Sequence, residues 1–140
     1  MAEHHSAEPY EGMHLLADLH SCAGPLDDAD EIATALREAA EAAGATVLEV
    51  NVHPFGEGQG VTGVALLAES HISIHSWPEH RYAALDFFLC GKKHDLDAAL
   101  AVFIDVLEPE RVRANAIERG YGAENGDCSA LIVDLAPAKF

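Results

Sequence analysis

The chain has 140 residues, 49% of them apolar, and its 24 acidic residues against 8 basic ones give a net charge of −16. This length fits one compact domain, the apolar content excludes disorder, and no apolar run approaches the ~20 residues that a membrane helix needs. An acidic surface repels nucleic acid phosphates and anionic lipid, and it would attract cationic substrates. We therefore expect a single domain over residues 1–140 that binds neither nucleic acid nor a membrane.

The N-terminal segment and the cysteines bear on the cellular compartment. Residues 1–11 are polar and lack the apolar core of a signal peptide, so we expect a flexible tail and a cytoplasmic protein. The cysteines, Cys22, Cys90 and Cys128, are odd in number and widely spaced. They suit reduced thiols better than a disulfide framework or a zinc cluster.

The first half of the chain alternates between strand and helix patterns. Residues 13–20 predict a strand with one apolar face. Asp27 or Asp28 is expected to cap a helix that runs to about Ala43, with Gly44 just beyond its end. A second strand is predicted at 46–52, with three side chains turned inward: Leu48, Val50 and Val52.

A loop with three glycines follows at residues 55–60, and a third strand is predicted at 61–68. The glycines indicate either a simple hairpin connection or a close approach of the backbone to a ligand.

Residues 69–79, with the sequence ESHISIHSWPE, are the segment around which we expect the protein to be organised. Ile72 and Ile74 fall on one side of an extended segment, and three polar residues, His71, Ser73 and His75, fall on the other. A structural strand would normally place Thr, Lys or Glu on a solvated face. This density of chemically capable groups indicates an active site.

The second half of the chain predicts further strands and one helix. Residues 81–90 alternate with Leu85, Phe87 and Leu89 on one face. Asp95 is expected to cap a helix that Pro109 ends. Residues 111–119 are predicted as a strand, and 130–135 as a possible edge strand.

These elements predict an α+β fold, a two-layer sandwich in which two helices cover one face of a mainly antiparallel sheet. The other face would carry chemically capable side chains: His71, Ser73, His75, Tyr82, Asp86 and Cys90. A sheet face that is neither plain solvent surface nor apolar core is a candidate interface or site, and a dimer could cover it.

The residues alone leave three kinds of chemistry open. His71, His75 and Glu79 have helix-like metal-ligand spacing, but β-branched alternation and the Trp77-Pro78 pair argue against a helix, so we expect no metal. A serine hydrolase would need a Gly-x-Ser-x-Gly elbow, which the sequence lacks. The third chemistry is a self-processing serine.

A strained serine can attack the carbonyl of the residue before it and turn the peptide bond into an ester. Elimination from that ester leaves dehydroalanine, which hydrolyses to a pyruvoyl group. The reaction needs a hydroxyl, a nearby base or proton donor, and donors for the oxyanion. Ser70, His75 and a hydroxyl from a neighbouring strand would meet these needs.

The central segment, with residues 82–86 (YAALD) and Cys90-Gly91, closely resembles the short prokaryotic pyruvoyl-dependent S-adenosylmethionine decarboxylases. The resemblance covers most of the chain, through HLLA at 14–17, GAT at 44–46, GVTG at 60–63 and ERG at 118–120. It implies cleavage between Glu69 and Ser70. The products would be a β chain, 1–69, and an α chain, 70–140, that begins with a pyruvoyl group derived from Ser70.

The resemblance also implies roles for single residues. The pyruvoyl group would form a Schiff base with the substrate amine and act as the electron sink for decarboxylation. His75 and Thr62 match the processing histidine and hydroxyl, and Cys90 matches the thiol that returns a proton to the α-carbon. Around the substrate, Phe55 and Trp77 match the adenine-contacting aromatics and Glu79 the carboxylate that binds the ribose hydroxyls. The family works as a dimer of two-layer protomers whose sheets face each other, in a four-layer αββα arrangement.

Two departures from the family pattern keep alternatives open. Ser76 stands where Thr is usual, which preserves the hydroxyl. The loop 56–60 looks one residue longer and carries Glu57, and some relatives with the same machinery decarboxylate arginine or ornithine. The resemblance favours S-adenosylmethionine, which would make the product the aminopropyl donor of spermidine synthesis. An unprocessed regulatory or ligand-binding homologue is the alternative of a different class.

Overall fold

The computed structural model describes residues 9–90 and 92–121, and the backbone of 132–138. Two helices, α1 and α2, and seven strands, β1–β7, make up the described part of the chain. In chain order they are β1 Gly12–His20, α1 Ala29–Ala42, β2 Val47–Pro54, β3 Val61–Leu67, β4 Ser70–Trp77, β5 Tyr82–Leu89, α2 Leu96–Leu107, β6 Arg111–Arg119 and β7 Ile132–Ala138. A single 3₁₀ turn, Pro78–His80, joins β4 to β5.

All seven strands form one sheet in the order β2-β3-β4-β5-β1-β6-β7, and every neighbouring pair is antiparallel. Strands β2 to β5 form a meander of consecutive hairpins. Strand β1 lies between β5 and β6, so the start of the chain is held in the middle of the sheet. The predicted edge strand at 130–135 is present as β7, shifted towards the C-terminus.

Both helices begin at predicted caps. The Asp28 carboxylate accepts hydrogen bonds from the backbone N–H groups of Asp30 and Glu31, and the Asp95 carboxylate accepts one from Ala98. These bonds satisfy donors that the first turn of a helix leaves unpaired. Helix α1 ends before Gly44, whose φ of +85° suits glycine, as the sequence predicted.

The two helices pack on the same face of the sheet and form the core with it. Ile72 and Ile74 of β4 are fully buried on this face, and Phe87 of β5 meets Phe103 of α2 edge to face, with ring centroids 5.9 Å apart. The predicted two-layer α+β sandwich is therefore confirmed. The opposite face of the sheet, which no described helix covers, is called the open face below.

One inward position in β2 was predicted wrongly. Leu48 is 66% exposed, whereas Val50 and Val52 pack against the core. The pairing of β2 with β3 shifts register between Val47 and Glu49. Because a bulge inserts one extra residue, it reverses the face of the side chains on one side of it.

Residues 1–8 lie outside the described part of the chain, and with them most of the predicted tail; Cys128 lies outside it as well. Within the described residues no helix has the length and apolarity needed to cross a bilayer.

Candidate active site

The Glu69–Ser70 bond lies at the tip of the hairpin between β3 and β4. Leu67 pairs with Ser70, so Ala68 and Glu69 alone make the turn. Glu69 has a φ of +66°, in the left-handed region that costs a non-glycine residue about 1–2 kcal/mol. The residue whose carbonyl Ser70 would attack is therefore held in a strained backbone conformation.

Ser70 and Cys90 line the same cavity, which has a volume of about 850 Å³ and which we call the cleavage-site pocket. It lies where β4 begins and β5 ends, and its wall includes Glu69, Phe88 and Lys92. The Ser70 hydroxyl is half-buried and donates a long hydrogen bond of 3.4 Å to the Ala68 carbonyl. The serine and the thiol that the sequence paired by function are thus neighbours in space.

A second cavity of about 570 Å³, the aromatic pocket, lies at the other end of β4. All five remaining predicted site residues line it: Phe55, Thr62, His75, Trp77 and Glu79. Thr62 of β3 faces His75 of β4, and its Oγ1 lies 3.1 Å from His75 Nδ1 in a hydrogen bond. Phe55 and Trp77 are large apolar side chains that remain 56% and 40% exposed, which indicates that a ligand or partner covers them.

The structure does not bring Ser70 and His75 of one chain together. They are five residues apart on an extended strand, which separates their backbones by roughly 16 Å. By the alternation of β4 they also fall on opposite sides, since Ser70 shares the side of Ile72 and Ile74. The predicted site residues therefore form two groups, one in each pocket.

The family model described as S-adenosylmethionine decarboxylase matches residues 13–120. This chain belongs to the S-adenosylmethionine decarboxylase family. A relative named S-adenosylmethionine decarboxylase proenzyme from Parasynechococcus marenigrum is 47% identical over 117 residues, which cover 83% of this chain and 91% of that protein. One of the same name from Methanococcus maripaludis strain C5 is 46% identical over 113 residues, covering 78% and 89%.

The fold agrees with a solved member of the family. The crystal structure of the adenosylmethionine decarboxylase from Aquifex aeolicus matches with a TM-score of 0.65 and 37% sequence identity. The match covers 78% of this chain and 90% of that one.

Ser76 is a buried anchor for the aromatic pocket. Its hydroxyl donates to the Leu26 carbonyl at 2.7 Å and accepts from the Val61 N–H at 3.0 Å. Beside it, a Cβ on Gly60 would lie 1.8 Å from the Ser76 carbonyl oxygen. The glycine loop therefore approaches the backbone of β4, and this contact holds the loop that carries Phe55.

A polar cluster on the open face includes His14, to which no sequence pattern assigned a role. His14 Nε2 hydrogen-bonds with Asp86 Oδ1, and His71 Nε2 lies 3.9 Å from the same oxygen. Arg119 donates to His14 Nδ1 at 3.2 Å. The pairs of this cluster are separated by up to 105 residues in sequence, so no local pattern could have revealed them.

This cluster has the composition of a metal site, because potential ligand atoms of His14, His71 and Asp86 lie within 4.8 Å of one another. Its hydrogen bonds favour a different role. If Nδ1 of His14 accepts from Arg119, then Nε2 carries the proton and donates it to Asp86. To bind a metal here, His14 would need the opposite tautomer, in which Nε2 is unprotonated and free for the ion while Nδ1 donates a hydrogen bond.

The two described thiols differ in environment. Cys22 is buried, its thiol donates to the Leu19 carbonyl, and loss of hydration raises its pKa from 9.0 to about 11. Cys90 is only half-buried and lines the cleavage-site pocket. Of these two thiols, Cys90 is therefore the one that a reacting carbon atom in the pocket could approach.

Proposed function

We propose that this chain is a proenzyme that cleaves itself between Glu69 and Ser70 and then decarboxylates S-adenosylmethionine with a pyruvoyl group derived from Ser70. The observation that carries the proposal is the left-handed φ of Glu69 immediately before Ser70, in a pocket shared with Cys90. Membership of the family and relatives named as proenzymes support it.

The residues around Ser70 fit the formation of this group. Attack of Ser70 Oγ on the Glu69 carbonyl carbon replaces the peptide C–N bond by an ester C–O bond. Elimination then removes the Ser70 α-proton, breaks the Ser70 Cβ–O bond, and leaves Glu69 with a free carboxylate and residue 70 as dehydroalanine. Water hydrolyses this dehydroalanine to the pyruvoyl group and releases its nitrogen as ammonia. Cleavage releases the strain at Glu69, because that residue is no longer constrained by a two-residue turn. The products are the chains 1–69 and 70–140.

In the mature enzyme the pyruvoyl group supplies an electrophilic carbonyl for the substrate amine and an electron sink for the loss of CO₂. Cys90 lines the pocket where that group would stand, and we propose that its Sγ delivers a proton to the α-carbon of the product. Cys90 must remain a thiol for this role, so we propose the cytoplasm as the compartment of the enzyme.

We further propose that the enzyme is a homodimer whose open faces pack together in a four-layer αββα arrangement. In this assembly the cleavage-site pocket of one protomer would meet the aromatic pocket of the other. The separation of Ser70 from His75 supports this proposal, since neither pocket holds the whole predicted set. Exposed apolar side chains on the open face, Leu16 and Leu66, support it too, because a partner would cover them.

The aromatic pocket suits the nucleoside part of S-adenosylmethionine. Phe55 and Trp77 offer aromatic surfaces for adenine, and stacking of a base on an aromatic side chain contributes about 1–3 kcal/mol. The sulfonium gains roughly 0.5–2 kcal/mol over an aromatic ring. Glu79 is exposed at the pocket wall, where its carboxylate can accept from the ribose hydroxyls.

A side-by-side assay of released CO₂ tests the substrate. The processed protein would be given S-adenosylmethionine, arginine or ornithine at matched concentrations. We expect S-adenosylmethionine to give by far the largest kcat/KM, because arginine and ornithine leave the aromatic surfaces unused. A larger value for arginine or ornithine would contradict the assignment, and Glu57 would then be the first residue to replace.

A further inference from the structure

Three aromatic rings from three adjacent strands form a column on the open face, which we call the ring column. Trp77 of β4 stacks on Tyr82 of β5 with centroids 5.4 Å apart and planes 24° apart. Tyr82 stacks in turn on His20 of β1, at 5.1 Å and 22°. The register explains the alignment, because Trp77 pairs with Tyr82, and the pairing of Leu19 with Ala83 puts His20 beside Tyr82.

Tyr82, the middle ring, is anchored by a hydrogen bond. Its hydroxyl donates to Asp18 Oδ1 at 2.6 Å, a short bond of the kind formed with a charged acceptor. Burial and the neighbouring Asp18 carboxylate raise the pKa of Tyr82 to about 12, so the donor proton is retained at physiological pH. With its hydroxyl held and His20 against one face, the Tyr82 ring has little freedom to rotate.

Trp77, the outer ring, stands at a less constrained place. It is the last residue of β4, it is 40% exposed, and it lines the aromatic pocket. Its contact with His75 is tilted by 41° at 6.3 Å and is looser than its stack on Tyr82. The orientation of the indole therefore depends chiefly on Tyr82.

We propose that Tyr82, anchored by Asp18 and backed by His20, is a positioning residue that presets Trp77 for the adenine of the substrate. The inference rests on the proposed function, in which Trp77 contacts adenine. A ring that is already oriented loses less freedom when the ligand binds, so the column increases affinity without touching the reacting atoms. The column lies outside the helix-covered core, on the face that the proposed dimer would cover, so its loss should affect the pocket and its surroundings rather than the packing of the helices.

Fluorescence can report on this column directly, because Trp77 is the only tryptophan of the chain. The ligand would be 5′-methylthioadenosine, which carries adenine and ribose but no amine to react. The processed wild-type enzyme would be titrated beside four variants: Tyr82→Phe, Asp18→Ala, the double variant, and Asp105→Ala as the control. Asp105 is an exposed residue of α2 that lines neither pocket.

We expect Tyr82→Phe and Asp18→Ala each to weaken binding about tenfold, since each removes the hydrogen bond between the Tyr82 hydroxyl and the Asp18 carboxylate. The double variant should bind 5′-methylthioadenosine no more weakly than the poorer-binding single variant, because both changes remove the same hydrogen bond. KM for S-adenosylmethionine should rise in parallel while kcat stays within about twofold, and Asp105→Ala should match the wild type. Thermal unfolding would confirm that each variant is folded.

Two negative results have different meanings. If 5′-methylthioadenosine leaves the fluorescence of wild-type Trp77 unchanged, Trp77 does not contact adenine and the proposed binding mode fails. If the wild type responds but the Tyr82 and Asp18 variants bind equally well, or lose kcat with KM unchanged, the positioning role is wrong.

Discussion

The backbone strain at Glu69 is a property of one residue that can be removed by a single substitution. A glycine adopts a positive φ without the steric conflict of a Cβ, although it loses more conformational entropy on folding. Glu108, the residue that caps the end of α2, has a φ of +50° and provides a matched position far from the cleavage site.

Glu69→Gly should stabilise the uncleaved protein by about 0.5–1 kcal/mol, measured by denaturant unfolding in a Ser70→Ala background that cannot cleave. With Ser70 intact, the same substitution should slow cleavage about two- to fivefold, because the strain no longer raises the free energy of the ground state. Glu108→Gly should give a similar gain in stability and no change in the cleavage rate. Equal cleavage rates in both variants would show that strain does not drive processing.

The Cys90 thiol is required for turnover and not for processing in this account. Cys90→Ala should still yield the two chains, while kcat falls by about 10²–10⁴-fold because a methyl group cannot deliver a proton. Cys22→Ala is the control, since that buried thiol lies outside both pockets, and its kcat should be unchanged. A Cys90→Ala enzyme with wild-type kcat and clean product would place the proton donor elsewhere.

Roles for single residues could be predicted only where those residues belong to a local sequence motif. The unusual density of reactive groups in segment 69–79 indicated an active site, and the family resemblance gave candidate roles to Ser70, His75 and Trp77. Contacts between strands that are distant in sequence could not be predicted. One example is the hydrogen bond between Asp18 and Tyr82, which are 64 residues apart. Such a contact depends on which strands become neighbours, and side-chain periodicity does not encode that.

At the scale of elements, the apolar alternation identified every strand of the sheet and separated its two faces. The faces of β4 follow the prediction, with Ile72 and Ile74 buried and His75 open. The inward prediction for Leu48 was wrong because alternation assumes a continuous ladder of strand pairing, and the bulge in β2 interrupts that ladder. The position of β1 between β5 and β6 could not be predicted from the sequence, because no hairpin joins β1 to either neighbour.

The close packing of the glycine loop on β4 can be tested with Gly60→Ala. The added Cβ would meet the Ser76 carbonyl oxygen, so the loop must move, at a cost of about 1–3 kcal/mol in unfolding free energy. Because Phe55 moves with the loop, KM for S-adenosylmethionine should rise as well. Gly44→Ala is the control: its φ of +85° disfavours alanine, but it has open space around it and lies outside both pockets. Unchanged KM in Gly60→Ala would separate the loop from substrate binding.

For the molecule as a whole, the sequence predicted the layers correctly. It named candidate site residues but did not indicate how they are distributed. Motif similarity places Ser70 and His75 in one active site, whereas the strand that contains both holds them roughly 16 Å apart. A second protomer resolves this conflict if each active site takes one pocket from each chain. The acidic surface adds a favourable field for a sulfonium substrate.

Subunit mixing tests the shared site. Cys90→Ala disables the cleavage-site pocket and Glu79→Ala the aromatic pocket, so either homodimer should be nearly inactive. In a mixed dimer one of the two sites receives both intact pockets, and random co-assembly should restore about a quarter of wild-type kcat. Activity that stays at the level of the separate variants would mean that each site is built within one chain.

The most direct measurement of the central claim is the intact mass of the purified protein under denaturing conditions. Self-processing predicts two chains in equal amounts, residues 1–69 and 70–140, the second with a pyruvoyl group in place of an N-terminal serine. Ser70→Ala should give a single uncleaved mass. A wild-type chain that remains whole on prolonged incubation, or a second chain that begins with an ordinary serine amine, would contradict the account.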